Sequence, residues 1–455
     1  HTDVGGRVAG GNACDSTEIY QEGLRIPPLK LYDQGVPNES LFRIIEKAVR
    51  VPEKVMGDLS SQVSALYYGE RELSQLVKTY GVENLVKHQA DLLDYTEELT
   101  RRTIRALPDG EWDFVDYVDD DGIDPGPIAI AVHLKKKDDE IHLDFTGTSP
   151  QCKGAINPVF ATTKSMCYAV VRTVLGGTIP NTGGYFRPIT VTAPEGTFVN
   201  PISPAPVAAR ALGCYRESHA LFGVFAQMLP DRLFAAFGSC ELGIAMAGYD
   251  KTEQPWKGWV QLDFQNETCW GGSSDRDGVD AQGTPTGNQT IIPVETMEAE
   301  VPIFFEEYGF LPDSEGAGKF RGGIGMVRTY RYLTDETMVQ MRTDRMKHAP
   351  YGLFGGQSSS TTKITLTQDG QSKAMPSKFM ITLNKGDVLE LNWPGGGGYG
   401  PPLEREAGRV LADVVAELVT VERAKEVYGV IVDAQLRKVD EKATLELREK
   451  MKKAS

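Results

Sequence analysis

The chain is poor in the residues from which most metal and redox sites are built, with six cysteines and six histidines in 455 residues. Cys14, Cys152, Cys167, Cys214, Cys240 and Cys269 are scattered with no C-x-x-C pair, which excludes a zinc ribbon and a disulfide framework and leaves small buried hydrophobes as their reading. Cys152 is the one set in a motif-dense loop. Positive charge is also short: Lys and Arg number 48 against 63 Asp and Glu, a formal net charge of −15, and no basic stripe gathers them. That argues against nucleic acid as a partner. No apolar run approaches the ~20 residues of a membrane helix, and the chain opens on a polar glycine-rich stretch unlike a signal peptide. The expectation is a cytoplasmic protein with no membrane partner. G-x-S-x-G is missing, Ser239 being followed by Cys240 and Glu241, and so is H-E-x-x-H.

Glycine is what the chain has in quantity, 48 residues of it, and the densest cluster is residues 313–328, DSEGAGKFRGGIGMVR. Five glycines around Arg321 imply backbone shapes or close approaches that a side chain would forbid. The spacing fails both phosphate-cradling patterns. After Gly316 and Gly318 the next glycine is Gly322, one residue too late for G-x-G-x-x-G, and Lys319 is followed by Phe320 where a Walker loop needs Ser or Thr.

Organisation follows from periodicity. Residues 1–38 are rich in Gly, Pro and Asp and read as loops packed on a missing or distant partner, not as a free-standing domain. Residues 40–107 form a helical lobe, with Leu59, Val63 and Leu66, then Leu73, Leu76 and Val77, on one stripe. Gly81 is the stop before a second helix carrying Leu85, Leu92 and Leu99, and an antiparallel helical pair is the economical arrangement. A mixed body covers 111–403, with strands at 112–118, 128–134, 141–145 and 189–193, helices at 161–175 and 218–229, and mostly strands and turns from 260 to 393. The acidic DDDGID after Val118 lacks a calcium loop's alternate oxygen ligands and distal Glu, and is expected to be a solvated turn. Residues 404–455 form a charged helical tail, with Thr420 and Asp440 as N-caps, that clamps the body or a partner chain. The fold class expected is α+β.

Seven separated motifs carry a resemblance. They are HTDVGG (1–6), DSTEIYQEGLRIPPLKL (15–31), GDLSSQ (57–62), LDFTGTSPQCKGAINP (143–158), RPITVTAPEGTFVNP (187–201), RTDRMKHAPYGLFGG (342–356) and PGGGGYGPP (394–402), with the glycine cluster above in its place among them. In this order they resemble the hydantoinase B/oxoprolinase family, whose signature runs DS-G-GAG-x-x-RGG-G. The resemblance implies one subunit of a hetero-oligomeric, ATP-dependent enzyme that opens cyclic amides such as hydantoins, oxoproline or lactams. It implies a hydantoinase A-type partner that binds ATP and Mg and phosphorylates the amide or enol oxygen, and a divalent metal, Mn or Zn, in the B-type component. Related acetone and acetophenone carboxylases offer a ketone as the alternative substrate, and a non-catalytic scaffold is a third reading. Family members carry about one further domain before the HTDVGG motif, so residues 1–403 are expected to be the later part of the B-type domain.

The candidate site residues come from these motifs. His1 and Asp3 are imidazole and carboxylate metal ligands, or a surface turn tightened by Gly5 and Gly6; the family form His-x-x-Asp-Val-Gly-Gly puts its histidine one residue earlier than His1. Glu22 is a general base, or an acid paired with Arg25. Asp144 is a catalytic carboxylate at a strand end, or a turn cap, and Asn157 hydrogen-bonds a substrate amide or closes a turn. Arg342, Asp344 and Arg345 form an anion-binding fork or a salt-bridge knot, and His348 beside them is a proton shuttle.

Overall fold

The computed structural model describes all residues except 1–2, 9–12, 14, 239–242, 253, 255, 264–268, 288–290 and 455. A short hairpin, β1 (Tyr32–Asp33) and β2 (Val36–Pro37), leads into α1 (Glu39–Ala48), α2 (Pro52–Tyr80) and α3 (Val82–Arg105). Next come β3 (Gly110–Val118), β4 (Ile128–Lys137), β5 (Glu140–Asp144), α4 (Phe160–Leu175), β6 (Ile189–Thr192) and α5 (Arg210–Met228). The second half holds β7 (Gly243–Asp250), β8 (Lys257–Asp263), α6 (Val294–Glu300), β9 (Ile303–Leu311), β10 (Gly325–Tyr332) and β11 (Thr337–Arg342). It continues with β12 (Lys363–Gln368), β13 (Gln371–Ala374), β14 (Lys378–Leu383) and β15 (Val388–Asn392). The tail is α7 (Ala407–Val415), α8 (Val421–Glu426), β16 (Val432–Asp433), β17 (Lys438–Val439) and α9 (Glu441–Ala454). Among the described residues no helix is long and apolar enough to cross a membrane.

The α+β expectation holds. Strands order as β3-β4-β5-β6, as β14-β11-β7-β8 and as β13-β12-β15-β10-β9. All pairings in these sheets are antiparallel except β5 with β6, which α4 joins as a crossover. The first sheet alternates cleanly: Ile128, Ile130, Val132 and Leu134 point into a core shared with α4 and α5. Burial of each such side chain contributes about 1.5–3 kcal/mol. The other two sheets face each other across a second core, built by Ile244, Met246, Val339 and Met341 from one and Tyr330, Ile364, Leu389 and Leu391 from the other.

Helix α5 begins eight residues earlier than its apolar pattern suggests, because Arg216, Glu217 and His219, polar in sequence, are fully buried in it. The helical lobe departs further from expectation. Gly81 does separate α2 from α3, with φ 75°. Yet Leu66, Leu73, Leu76, Val86 and Leu92 stay exposed, α2 buries only Val55 among its described residues, and α3 buries Thr96, Thr100 and Ile104 near its far end. The two stripes do not close on each other; an amphipathic period shows which face is apolar, not what covers it.

The glycine cluster packs against backbone. A Cβ on Gly322 would stand 1.9 Å from the Gly396 carbonyl oxygen, and one on Gly398 would stand 2.1 Å from that of Ala317. The two glycine-rich motifs interlock with no room for side chains. The same cluster anchors the tail: Asp313 accepts from Thr420 N at 2.7 Å, Glu315 from Arg423 Nε at 2.7 Å and Tyr428 Oη at 2.9 Å, and Arg321 Nε donates to Asp413 at 3.1 Å. The tail therefore clamps the body, and Thr420 and Asp440 both accept an N–H bond as N-caps. Gly322→Ala is expected to lower the melting temperature by several degrees or prevent folding, since overpacking costs on the order of 1–3 kcal/mol or more. Gly309→Ala, where a Cβ meets nothing within 4 Å, should leave it unchanged in the same thermal melt.

Candidate functional site

The DDDGID turn that follows β3 is the centre of the site; Gly122, Ile123 and Asp124 are exposed, as a solvated turn would be, but the first and third of its carboxylates are buried. Asp119 and Asp121 are 0% and 2% exposed. Asp119 accepts N–H bonds from Met346 at 2.6 Å, Lys347 at 3.0 Å and His348 at 2.9 Å. Asp120 takes Ser377 at 2.8 Å and Lys378 at 3.3 Å, while Asp121 takes the N–H groups of Ile123, Asp124, Lys153 and Gly154. The turn therefore ties β3 to the segment after β11, to the start of β14 and to the loop after β5. Its charge looked solvent-directed in sequence because most of its partners lie 32 to 258 residues away.

The predicted knot exists, but its partners come from elsewhere. Asp344 pairs with Arg216 of α5 and accepts from Asp119 N at 2.8 Å. Arg345, in a left-handed conformation at φ 64°, holds both Asp116 oxygens at 3.2 and 2.9 Å. Its guanidinium can only donate, so the His219 Nδ1 at 2.5 Å accepts and His219 is neutral with its proton on Nε2. Burial and then Arg216 push the His219 pKa well below its usual value, in agreement. The approach of His219 Nδ1 to Asp116, at 4.0 Å, is therefore not an ion pair. Burial pushes the Asp344 carboxyl up to about 6 against the pull of Arg216.

His348 stands at the edge of this buried network. Its ring is stacked on Tyr117 with centroids 5.0 Å apart, its side chain is 35% exposed, and its Nδ1 lies 2.8 Å from Asp119 Oδ1. An ionised carboxylate only accepts, so Nδ1 donates and Nε2 is left as the basic atom. Burial pushes the Asp119 carboxyl up, but the His348 N–H and ring, the Lys347 N–H and Arg216 outweigh it and keep it below the usual range. The pair is thus a surface imidazole oriented by a buried charge.

The other predicted residues divide. Asn157 is fully buried and spent on its own turn: Nδ2 donates to the carbonyls of Cys152, Gly154 and Pro206 at 3.0–3.1 Å and Oδ1 accepts from Cys152 N. It closes a turn and has no group left for a substrate. Glu22 accepts from Val207 N at 2.7 Å and is raised by burial despite that bond, while Arg25 lies over the Tyr20 ring, so the expected Glu22–Arg25 pair does not form. Asp144 points away from the core, accepting from Thr192 at 2.8 Å and Thr146 at 3.1 Å, on the face of its sheet opposite Asp116. It caps a strand end apart from the other candidates. Asp3 is 1% exposed and accepts from Arg50 N at 2.5 Å and Nη1 at 3.1 Å. His1 lies outside the described residues. Cys152 is shielded too, its thiol pushed up to about 12 by burial and by Asp121.

Apart from Asp144, the described groups among these form a continuous seam. Asp3 leads to the strip around Glu22 through the Leu24 N to Val4 O bond, Glu22 to Val207, Pro206 to Asn157, residues 152–154 to Asp121, and Asp120 to Lys378. Lys378 Nζ then donates to Thr343 O, next to Arg342, which is 1% exposed. Sequence reasoning missed Asp116, Asp119 and Arg216. The signals were present: three successive aspartates after a strand, and RESH inside an otherwise apolar helix.

No group of three or more described His, Cys, Asp or Glu side chains is arranged to hold a metal ion. Asp3, with its oxygens engaged by Arg50, does not furnish a divalent site by itself, since zinc takes ~4 ligands.

Comparison with known proteins places the chain. The hydantoinase B/oxoprolinase family model matches residues 1–402. A Pseudomonas sp. (strain NS671) protein provisionally named as the B component of a D-/L-hydantoinase is 32% identical over 98% of this chain and 77% of its own length. The beta chain of the caprolactamase of Pseudomonas jessenii is 30% identical over 97% of this chain and 77% of its own length. The crystal structure of the ATP-dependent caprolactamase of P. jessenii superposes with TM-score 0.89 at 29% identity, over 98% of this chain and 78% of that one. Acetone carboxylase superposes with TM-score 0.90 at 17% identity, over 100% and 67%, a likeness of fold alone.

The buried acid next to the knot gives a test of its electrostatics. Burial pushes the Glu217 carboxyl up to about 8, far above the usual carboxylate range, with Thr163 and Cys167 pulling down. A raised acid pKa means the folded state holds the proton more tightly. Its stability contribution is complete below pH ~4.5 and is lost as pH rises through about 8, with a slope of up to ~1.4 kcal/mol per pH unit. Glu217→Gln should match the parent melting temperature near pH 5 and exceed it at pH 9, measured by thermal melts across that range.

Proposed function

The chain belongs to the hydantoinase B/oxoprolinase family, and from that premise we propose that it is the B-type subunit of an ATP-dependent cyclic-amide hydrolase acting on hydantoins, oxoproline-like rings or lactams. The observation that carries the reading is the Asp119–His348 pair, a surface imidazole with a buried carboxylate behind it. In the proposed division of labour a hydantoinase A-type partner binds ATP and Mg and transfers the γ-phosphoryl group to the amide oxygen, releasing ADP. The amide carbon becomes electrophilic. Water adds there and loses its proton to His348 Nε2, and Asp119 stabilises the imidazolium. The ring C–N bond breaks as the nitrogen takes up a proton, and a second water releases phosphate from the acyl phosphate that remains.

The buried knot's part is positional. Arg216–Asp344 and Arg345–Asp116 fix the loop that carries His348 against β3 and α5, and hold it for a reaction in which a misplacement of ~1 Å costs about 10²-fold. A divalent metal, Mn or Zn, would draw on Asp3 and His1 as this chain's contribution and would supply Lewis-acid polarisation of the attacking water.

Two outcomes are expected. With the A-type partner, ATP and Mg, the chain should release phosphate in proportion to one cyclic amide, and not to a ketone plus bicarbonate; the reverse dependence would replace this reading with a ketone carboxylase. His348→Gln should lower kcat by about 10²–10⁴-fold with KM little changed and the melting temperature retained. For the metal, residues 1–455 alone should bind Mn or Zn weakly, and tightly held stoichiometric metal in elemental analysis after dialysis against chelator would place the ligands elsewhere.

A further inference from the structure

One face of β11 carries a buried carboxamide, that of Gln340, that the described fold does not use. Its residues alternate: Val339 and Met341 enter the core between the sheets, so Met338, Gln340 and Arg342 point the other way. Gln340 stands directly opposite Ala245 of β7 and Met380 of β14, and Arg342 opposite Gly243 and Lys378. Opposite residues share a face, so small neighbours flank both polar side chains on the β7 side.

The seam borders this face at both ends. Val51, which follows the Arg50 that holds Asp3, packs with Val260 against Met338, Ala247 and Leu262. At the other end Lys378 bonds Asp120 and Thr343 O. Gln340 lies between, 0% exposed, and neither its Oε1 nor its Nε2 has a hydrogen-bond partner among the described residues. It is the one described side chain that leaves two buried polar atoms unsatisfied. Such groups normally find partners.

We propose that the Gln340 carboxamide is the recognition group for the substrate's ring amide, pairing its N–H and C=O with the C=O and N–H of a cyclic, cis amide. The match is geometric. In a small ring the amide is held cis, so its N–H and carbonyl oxygen lie on the same edge, as the Oε1 and one Nε2 hydrogen of a primary carboxamide do. Two parallel hydrogen bonds follow, and both orphaned groups are satisfied. An open-chain trans amide presents the two groups on opposite edges, and a ketone offers only the acceptor. Arg342 on the same face adds a fixed positive charge beside the ring. This inference rests on the cyclic-amide reading above and adds how that substrate class is selected.

The test uses the complex with its A-type partner and three ring-matched probes in two ring sizes: 2-pyrrolidinone, N-methyl-2-pyrrolidinone and cyclopentanone, and ε-caprolactam, its N-methyl derivative and cycloheptanone. Substrate-dependent phosphate release is measured for the parent and for Gln340→Met, which keeps length and removes the amide. The parent should prefer N–H lactam over N-methyl lactam by ~10²-fold or more in kcat/KM, because a site built to pair a polar group rejects the analogue lacking it. Gln340→Met should bring that ratio to within about threefold by losing rate on the N–H lactam, with a melting temperature equal to or above the parent's. An unchanged ratio in Gln340→Met overturns the inference and leaves the hydrolase reading standing. A melting temperature lower by several degrees overturns it as well, by showing that the amide is bonded within the fold. Turnover of no lactam in either series overturns the cyclic-amide reading and this inference with it.

Discussion

Three successive carboxylates at the end of β3 hold the molecule's two halves in register. Asp119 gathers the backbone of residues 346–348, Asp120 the start of β14, and Asp121 the loop at 153–154. Buried carboxylates are stable only when every lone pair is used, and here backbone N–H groups do most of that work, without the entropy of ordering long side chains. A mutation that removes Asp119 leaves the N–H groups of Met346, Lys347 and His348 without their acceptor at once. The site inherits its geometry from this turn, because the same Asp119 that organises the 346–348 backbone also orients the His348 ring.

Around the turn, charge is paired in depth: Arg216 with Asp344, and Arg345 with Asp116, all but fully enclosed. Buried ion pairs are weak evidence for stability, since desolvation offsets their attraction. Their value here is positional. They seat a loop, with Arg345 in a left-handed backbone, on a helix and a strand distant in sequence, and the His348 ring stays partly exposed at its edge. His219, beside a guanidinium, is held neutral and belongs to the scaffold.

Elsewhere the fold is closed by backbone. The interlocked glycines of residues 316–325 and 395–400 leave no space for side chains or for a phosphate, which agrees with the failure of their spacing as a nucleotide loop. The ATP chemistry implied by the family therefore sits with another subunit in the proposed scheme. The acids and Arg321 of the same cluster hold the tail, so one motif serves as packing surface and anchor.

The sequence by itself determined the elements and the family. Strands β3 to β5 were legible from alternation, α4 from its apolar run, the tail's caps from Thr420 and Asp440, and the glycine clusters from composition, because each depends on neighbours within a few residues. What only the tertiary structure decided was partnership. It spent the candidate substrate contact Asn157 on closing a turn, bonded the candidate base Glu22 to the Val207 backbone, set Asp144 on an outer face, and buried two carboxylates of a turn that looked solvated. It left the apolar stripe of α2 uncovered and Gln340 without a bond among the described residues. A charge or an amide in a sequence carries no record of whether its counterpart arrives from 225 residues away, as Asp344 does for Asp119. That information exists only once the chain has closed on itself.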